Sequence, residues 1–172
     1  MPFLTLFGLY GWDFEGPVPA WWCFFSAASY LIYRMLDEMD GKQARKTGNS
    51  SPLGLLFDHG CDSFTTSLVS LMIMKVIQMG NGSLIMFTLL GSTQSFYFST
   101  LEEYYIGGLF LGIGNGATDG SLPIIALFIY CGMYGNDGFK NDLFFGDDMK
   151  VRVSHLMGYT LIATQIVAVF LK

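Results

Sequence analysis

Charge is what this sequence has least of. Asp, Glu, Lys and Arg together make up 13% of 172 residues, about half the usual share. Nine Lys and Arg stand against fourteen Asp and Glu, for a net charge of −5. No basic face is on offer to a polyanion, so the composition gives nucleic acid no purchase. Histidine is limited to two residues and cysteine to Cys23, Cys61 and Cys131. The cysteines lie far apart in apolar segments, without the spacing of a zinc site or a disulfide framework, and read as buried thiols. No basic stretch precedes the first apolar run, so no cleavable signal peptide is expected. Internal repeats are lacking as well, and residues 1–172 read as one domain.

What the chain has instead is apolar length. Hydrophobic residues make up 52% of it, with sixteen Phe and ten Met, and the mean hydropathy is +0.44. This composition predicts an all-α fold, a polytopic membrane helical bundle of about five transmembrane helices. The spans fall at about 19–39, 52–79, 83–101, 121–135 and 151–171. Residues 1–10 are apolar but too short to cross. Trp21 and Trp22 are placed to anchor the first span at an interface, and Arg34, Lys42, Arg45 and Lys46 gather at its far end, which puts that end in the cytosol. Gly80-Asn81-Gly82 turns the chain on the other side. The acidic stretch with Asp137, Asp142, Asp147 and Asp148 lacks a calcium-loop pattern and reads as a solvated loop. Gly112-x-Gly114-x-Gly116 follows no strand, so it reads as a membrane-surface turn and not as a nucleotide-phosphate loop.

Against this apolar background stands one ordered polar stretch. Asp37, Asp40, Asp58 and Asp62 fall within twenty-six residues. Asp37 and Asp40 are three apart, and Gly54, Asp58 and Asp62 are each four apart. These spacings put the carboxylates on one face of each of two helices. The helices are joined by the polar turn 46–52, with Ser50 or Ser51 as N-cap and Pro52 in the first turn. Packed antiparallel, the two segments bring four carboxylates together, which cannot all stay ionised without cations. Hard oxygen donors suit Mg²⁺, Mn²⁺ or Ca²⁺ rather than zinc, and there is enough charge for two ions. Gly41 and Gly54 leave room for a ligand to approach the backbone, and Arg45 supplies a fork for phosphate. Small residues, one arginine and an acidic cluster together point to a metal-bridged diphosphate.

The pattern Asp37-x2-Asp40-Gly41-x2-Ala44-Arg45-x8-Gly54-x3-Asp58-x3-Asp62 resembles the signature of the CDP-alcohol phosphatidyltransferases, with every position filled. The wording between the fixed positions, Asp40-Gly-Lys-Gln-Ala-Arg45, Ser50-Ser-Pro-Leu-Gly54 and Phe57-Asp-His-Gly-Cys-Asp-Ser63, is similar to the eukaryotic choline/ethanolamine phosphotransferases. Glu102-x-Tyr104-x-x-Gly107-x-Leu109 resembles a second stretch of ethanolamine-type members, with Leu101 where they have tryptophan. Asn115-Gly-Ala-Thr-Asp-Gly120 resembles a third.

The resemblance implies a partial CDP-alcohol phosphatidyltransferase fold. It also implies transfer of phosphoethanolamine or phosphocholine from CDP-ethanolamine or CDP-choline to diacylglycerol, giving phospholipid and CMP. By that resemblance Asp37, Asp40, Asp58 and Asp62 hold Mg²⁺ or Mn²⁺, two ions, with Asp62 a ligand, a base or both. Gly41, Ala44 and Gly54 let the cytidine diphosphate pack against the helices, and Arg45 stabilises phosphate charge. His59 is the candidate base for the acceptor hydroxyl. Glu102 and Tyr104 are candidates to hold the amine or quaternary ammonium headgroup. The implied location is the endoplasmic reticulum or another endomembrane, with membrane lipids as partners, the active site toward the cytosol, and a homodimer as the family state. Two departures stand out. Relative to six core spans the chain reads as a fragment that lacks the first span and further C-terminal ones, and Leu55 occupies a position usually held by Glu. They keep a second expectation open, a non-catalytic membrane subunit that retains the fold and the metal site.

Overall fold

The computed structural model describes residues 2–107, 120–145 and 149–170. Six α-helices account for most of them: α1 (Pro2–Tyr10), α2 (Ala20–Thr47), α3 (Pro52–Val76), α4 (Ser83–Ile106), α5 (Ser121–Tyr134) and α6 (Val153–Phe170). A 3₁₀ turn (Asp137–Lys140) leads into a hairpin of two four-residue strands, β1 (Asp142–Phe145) and β2 (Met149–Arg152). Asp142 pairs with Arg152 and Phe145 with Met149 in antiparallel register. The hairpin corrects the expected solvated loop over 136–150. Asp147, Asp148, the Gly112–Gly116 turn and the Asn115–Asp119 match lie outside the described residues.

The joint between α2 and α3 follows local rules. α2 ends at Gly48, whose φ of 69° is left-handed, a conformation glycine adopts without a Cβ penalty. Asn49 N–H bonds back to Ala44 O at 3.0 Å, so the last carbonyls of the helix find partners. Ser51, with extended backbone, then caps α3: its Oγ accepts from Gly54 N–H at 3.1 Å, and Pro52 takes the first helical position. The two helices that carry the aspartates are thus joined by a stiff four-residue turn.

Their packing differs from the sequence expectation. α2 and α3 do not lie closely against one another along their length. α2 packs on α5, while α3 packs on α4, which in turn packs on α6. In the α2–α5 contact Trp22 meets Phe128 edge-to-face, with ring centroids 5.9 Å apart, and Cys23, Ala27 and Cys131 fill the space beside them. Gly132 allows the ring of Phe24 to approach: a Cβ there would stand 2.9 Å from Phe24 Cζ. Between α3 and α4, Ser70 Oγ donates to Ser92 Oγ at 3.0 Å.

Three sequence readings change here. Trp22 is no interfacial anchor. It is fully buried, and its Nε1–H donates to Pro2 O at 2.9 Å, because α1 folds back over the start of α2 and covers it. Cys61 is exposed while Cys23 and Cys131 are buried, since among the described residues no helix covers the α3 face that carries Cys61. α4 also continues past residue 101, so Glu102–Tyr105 lie within the helix rather than after it.

The end of the bundle away from the aspartates is tied by polar side chains. Lys75, fully buried, donates from Nζ to Tyr10 O (3.1 Å), Gly11 O (2.5 Å) and Asp13 O (2.7 Å). Gln78 Nε2 donates to Asn136 O at 3.0 Å, and Val18 N–H donates to Asn136 Oδ1 at 3.4 Å. Arg152 pairs with Glu15 at 3.2 Å. Polar atoms are thus spent inside the bundle, while large apolar side chains face outward on the long helices: Met35, Leu36 and Met39 on α2, Leu56 and Phe64 on α3, Met86 and Phe87 on α4. Among the described residues, no helix is long and apolar enough to cross a membrane. α2 and α3 are long enough but carry the charged residues of the motif, and α5 has only fourteen residues.

Candidate functional site

α2 and α3 meet through side chains rather than backbone. Asp37 on α2 and Asp58 and Asp62 on α3 each offer a carboxylate oxygen, and these atoms all lie within 4.8 Å of one another. All three residues are half-buried. The four-residue spacing of Asp58 and Asp62 stacks them on one face of α3, and the stiff turn at 48–51 sets that face opposite Asp37. Asp40, one turn beyond Asp37, is exposed and lies outside this trio. It remains close enough to act through space on both Asp37 and Asp58.

Each member of the trio has a partner. Arg34 Nη1 donates to Asp37 Oδ2 at 2.7 Å, one turn back along α2. The Tyr33 hydroxyl donates to Asp62 Oδ1 across the gap between the helices. His59 follows Asp58 on α3, and its Nε2 lies 3.1 Å from Glu103 Oε2 on α4. Glu103 also adds its negative charge to the field at Asp58. The gap between α2 and α3 is therefore lined by three carboxylates, bridged by one phenol, and flanked by an arginine and an imidazole–carboxylate pair.

Whether a divalent cation suits this set can be judged from its chemistry. Three half-buried carboxylates converge, and one arginine offsets only part of their charge. Close carboxylates of this kind are stable when a cation sits among them. All-oxygen donors at this convergence fit Mg²⁺ or Mn²⁺, so the residues fit the metal.

The remaining candidates are placed as follows. Gly41 lies half-buried on α2, where a Cβ would stand 3.5 Å from Arg45 Nη1. Ala44 is half-buried one turn on, and Arg45 is exposed at the helix end. At Gly54 a Cβ would stand 3.2 Å from Ser51 Oγ, so this glycine also keeps the α3 cap unobstructed. Glu102 is half-buried at the end of α4. Tyr104 is 81% exposed and packs edge-on against Tyr105, with centroids 5.3 Å apart.

Sequence reasoning missed three residues. Tyr33 and Arg34 lie four and three positions before Asp37, so helical spacing alone could have placed them on the face of Asp37. Glu103 carried a weaker signal. It is the unspecified residue between Glu102 and Tyr104, and only the rotation of α4 against α3 decides which of two adjacent glutamates faces His59.

A family model described as CDP-alcohol phosphatidyltransferase matches residues 2–134. Among curated relatives, an uncharacterized CDP-alcohol phosphatidyltransferase class-I family protein 3 from Dictyostelium discoideum is 40% identical over 130 residues, covering 75% of this chain and 33% of that protein. Cholinephosphotransferase 1 of Saccharomyces cerevisiae is 36% identical over 122 residues, 71% of this chain and 31% of the relative. Choline/ethanolaminephosphotransferase 2 of Arabidopsis thaliana is 36% identical over 126 residues, 73% and 31% respectively. The chain spans about a third of the length of the curated relatives it matches.

Proposed function

The chain belongs to the CDP-alcohol phosphatidyltransferase family, and from that premise we propose that it transfers phosphoethanolamine or phosphocholine from a CDP-alcohol to diacylglycerol. The observation that carries the reading is the convergence of Asp37, Asp58 and Asp62 within 4.8 Å, with His59 beside them. The names of the yeast and plant relatives favour choline or ethanolamine as the headgroup.

Asp37, Asp58 and Asp62, with Asp40 at the rim, would hold divalent cations, which would supply positive charge to offset that of the diphosphate and of departing CMP. Gly41, Ala44 and Gly54 leave the helix surfaces low where the cytidine diphosphate lies, and Arg45 offers its fork to a phosphate. Glu102 and Tyr104 stand near the end of α4 and supply a carboxylate and an aromatic ring for the headgroup. The diacylglycerol hydroxyl oxygen bonds to the phosphorus that carries the headgroup, and the bond from that phosphorus to the bridging oxygen breaks. CMP leaves with the electron pair, and the hydroxyl proton passes to His59. Chemistry of this kind needs little covalent help from the protein, because positioning and charge neutralisation do most of the work.

A membrane setting supports the acceptor. Large apolar side chains on α2, α3 and α4 face outward, which a soluble monomer rarely tolerates over such an area. The interior holds Ser70, Ser92, Gln78 and Asn136 in hydrogen bonds, the pattern expected where lipid surrounds the bundle. We place the chain in an endoplasmic reticulum or related endomembrane, with the basic end of α2 toward the cytosol.

The test is CMP release by the purified chain in lipid with diacylglycerol, Mn²⁺ or Mg²⁺, and either CDP-ethanolamine or CDP-choline. Release that needs metal, acceptor and one CDP-alcohol supports the assignment and names the headgroup. Metal binding without CMP release would favour a non-catalytic subunit that keeps the site.

A further inference from the structure

The imidazole of His59 has a partner that the linear motif does not contain. On α3 the position one turn earlier, four residues before His59, is Leu55, which is 48% exposed and offers no polar atom. A carboxylate there would be the shortest way to hold the ring, since residues four apart face each other on a helix. Glu103 supplies that carboxylate from another helix instead: its Oε2 lies 3.1 Å from His59 Nε2, and both side chains are largely shielded, at 26% and 21% exposure.

We propose that Glu103 is the positioning residue for His59, an inter-helix carboxylate doing from α4 what a residue at position 55 would do from α3. The assignment rests on His59 acting as the base in the reaction proposed above. The Glu103 charge beside Nε2 favours the ring proton on that side, as an ion pair in which Oε2 accepts no hydrogen bond, and leaves Nδ1 as the nitrogen turned away from Glu103. A base helps only when it is held within reach of the proton it takes. The pairing also ties α4 to α3 beside the aspartates, so the site needs three helices, α2, α3 and α4, although the motif spans two.

The test compares three forms of the full chain in lipid: wild type, Glu103→Leu, and Glu103→Leu combined with Leu55→Glu. Glu103→Leu should lower kcat by about 10- to 100-fold, within the ~10²- to 10⁴-fold that a general base contributes in all. KM for the CDP-alcohol should stay unchanged. Adding Leu55→Glu should restore most of the lost kcat by returning a carboxylate to the same imidazole. Where Glu103→Leu does not fold, Glu103→Gln, equal in size, takes its place.

A second readout does not depend on turnover. The chain has only His59 and His155, so ¹⁵N-histidine spectra, with His155→Asn used for assignment, report the tautomer of His59 directly. Wild type should show a single Nε2–H tautomer, and Glu103→Leu a mixture. Unchanged kcat, a loss that Leu55→Glu leaves in place, or an unchanged tautomer in Glu103→Leu would each overturn the assignment. If wild type releases no CMP, the proposed reaction falls, and the ¹⁵N comparison alone still decides whether Glu103 holds His59.

Discussion

Tyr33 and Asp62 stand on different helices, and the hydroxyl of Tyr33 donates to Asp62 Oδ1 across the gap between α2 and α3. The contact holds one carboxylate of the trio in a single direction. Outer partners of metal-ligating carboxylates fix ligand direction, and their loss costs about 10- to 100-fold in metal affinity or activity. Tyr33→Phe removes the donor and keeps the ring. It should weaken Mn²⁺ binding by that factor, read as free Mn²⁺ by electron paramagnetic resonance, while the thermal midpoint changes little. Unaltered Mn²⁺ affinity would show that Tyr33 bridges the helices without serving the site.

The trio itself makes a sharper prediction. Asp58→Asn and Asp62→Asn each remove a charged donor from the set of oxygens that lie within 4.8 Å. Each should lower Mn²⁺ affinity by more than the ~100-fold upper figure for an outer-shell change, and each should abolish CMP release. Stripping the wild type with EDTA should stop release, and adding back Mn²⁺ should restore it. Retained release in Asp58→Asn would remove that residue from the site.

Far from the aspartates, Lys75 should matter for stability alone. Its ammonium gathers the carbonyls of Tyr10, Gly11 and Asp13, which close the end of α1 and the following loop. Lys75→Met keeps the length and takes the donor from three carbonyls in a part-buried setting. Hydrogen bonds from a charged donor are worth about 1.5–3 kcal/mol each, and losses at one shared donor are less than additive. A drop of about 3 kcal/mol in thermal or denaturant unfolding is expected, with Mn²⁺ affinity unchanged. A drop below ~1 kcal/mol would mean that water or a neighbour replaces the ammonium.

Gly48 tests the joint between the two motif helices. Its φ of 69° is left-handed, and a side chain there costs about 1–2 kcal/mol. Gly48→Ala should lower stability by about 1 kcal/mol. Gly48→Asn should cost less, because asparagine tolerates this conformation. Equal costs for the two would place the penalty in contacts of the side chain rather than in the backbone.

Much of this protein could be read along the chain. The five long helices follow from apolar runs broken by Gly48, Pro52, the Gly80–Gly82 turn and Gly135. The α3 cap at Ser51 and the face shared by Asp58 and Asp62 follow from spacing, because both are local and repeat with the helical period. The spacing of Asp37, Asp58 and Asp62 was enough to expect the three carboxylates to converge, as they do within 4.8 Å. Residues 142–152 were harder to read, because a four-residue hairpin leaves little periodic signal.

Only the tertiary structure decided how those elements meet. It set α2 on α5 and α3 on α4, so that the carboxylates face one another across a gap instead of lying in a helix seam. It turned Trp22 inward under α1 and left Cys61 outside. It chose Glu103 over Glu102 as the neighbour of His59. Adjacent residues on a helix point about 100° apart, and the rotation of α4 about its axis is fixed by packing against α3 and α6, a long-range matter that no local pattern encodes.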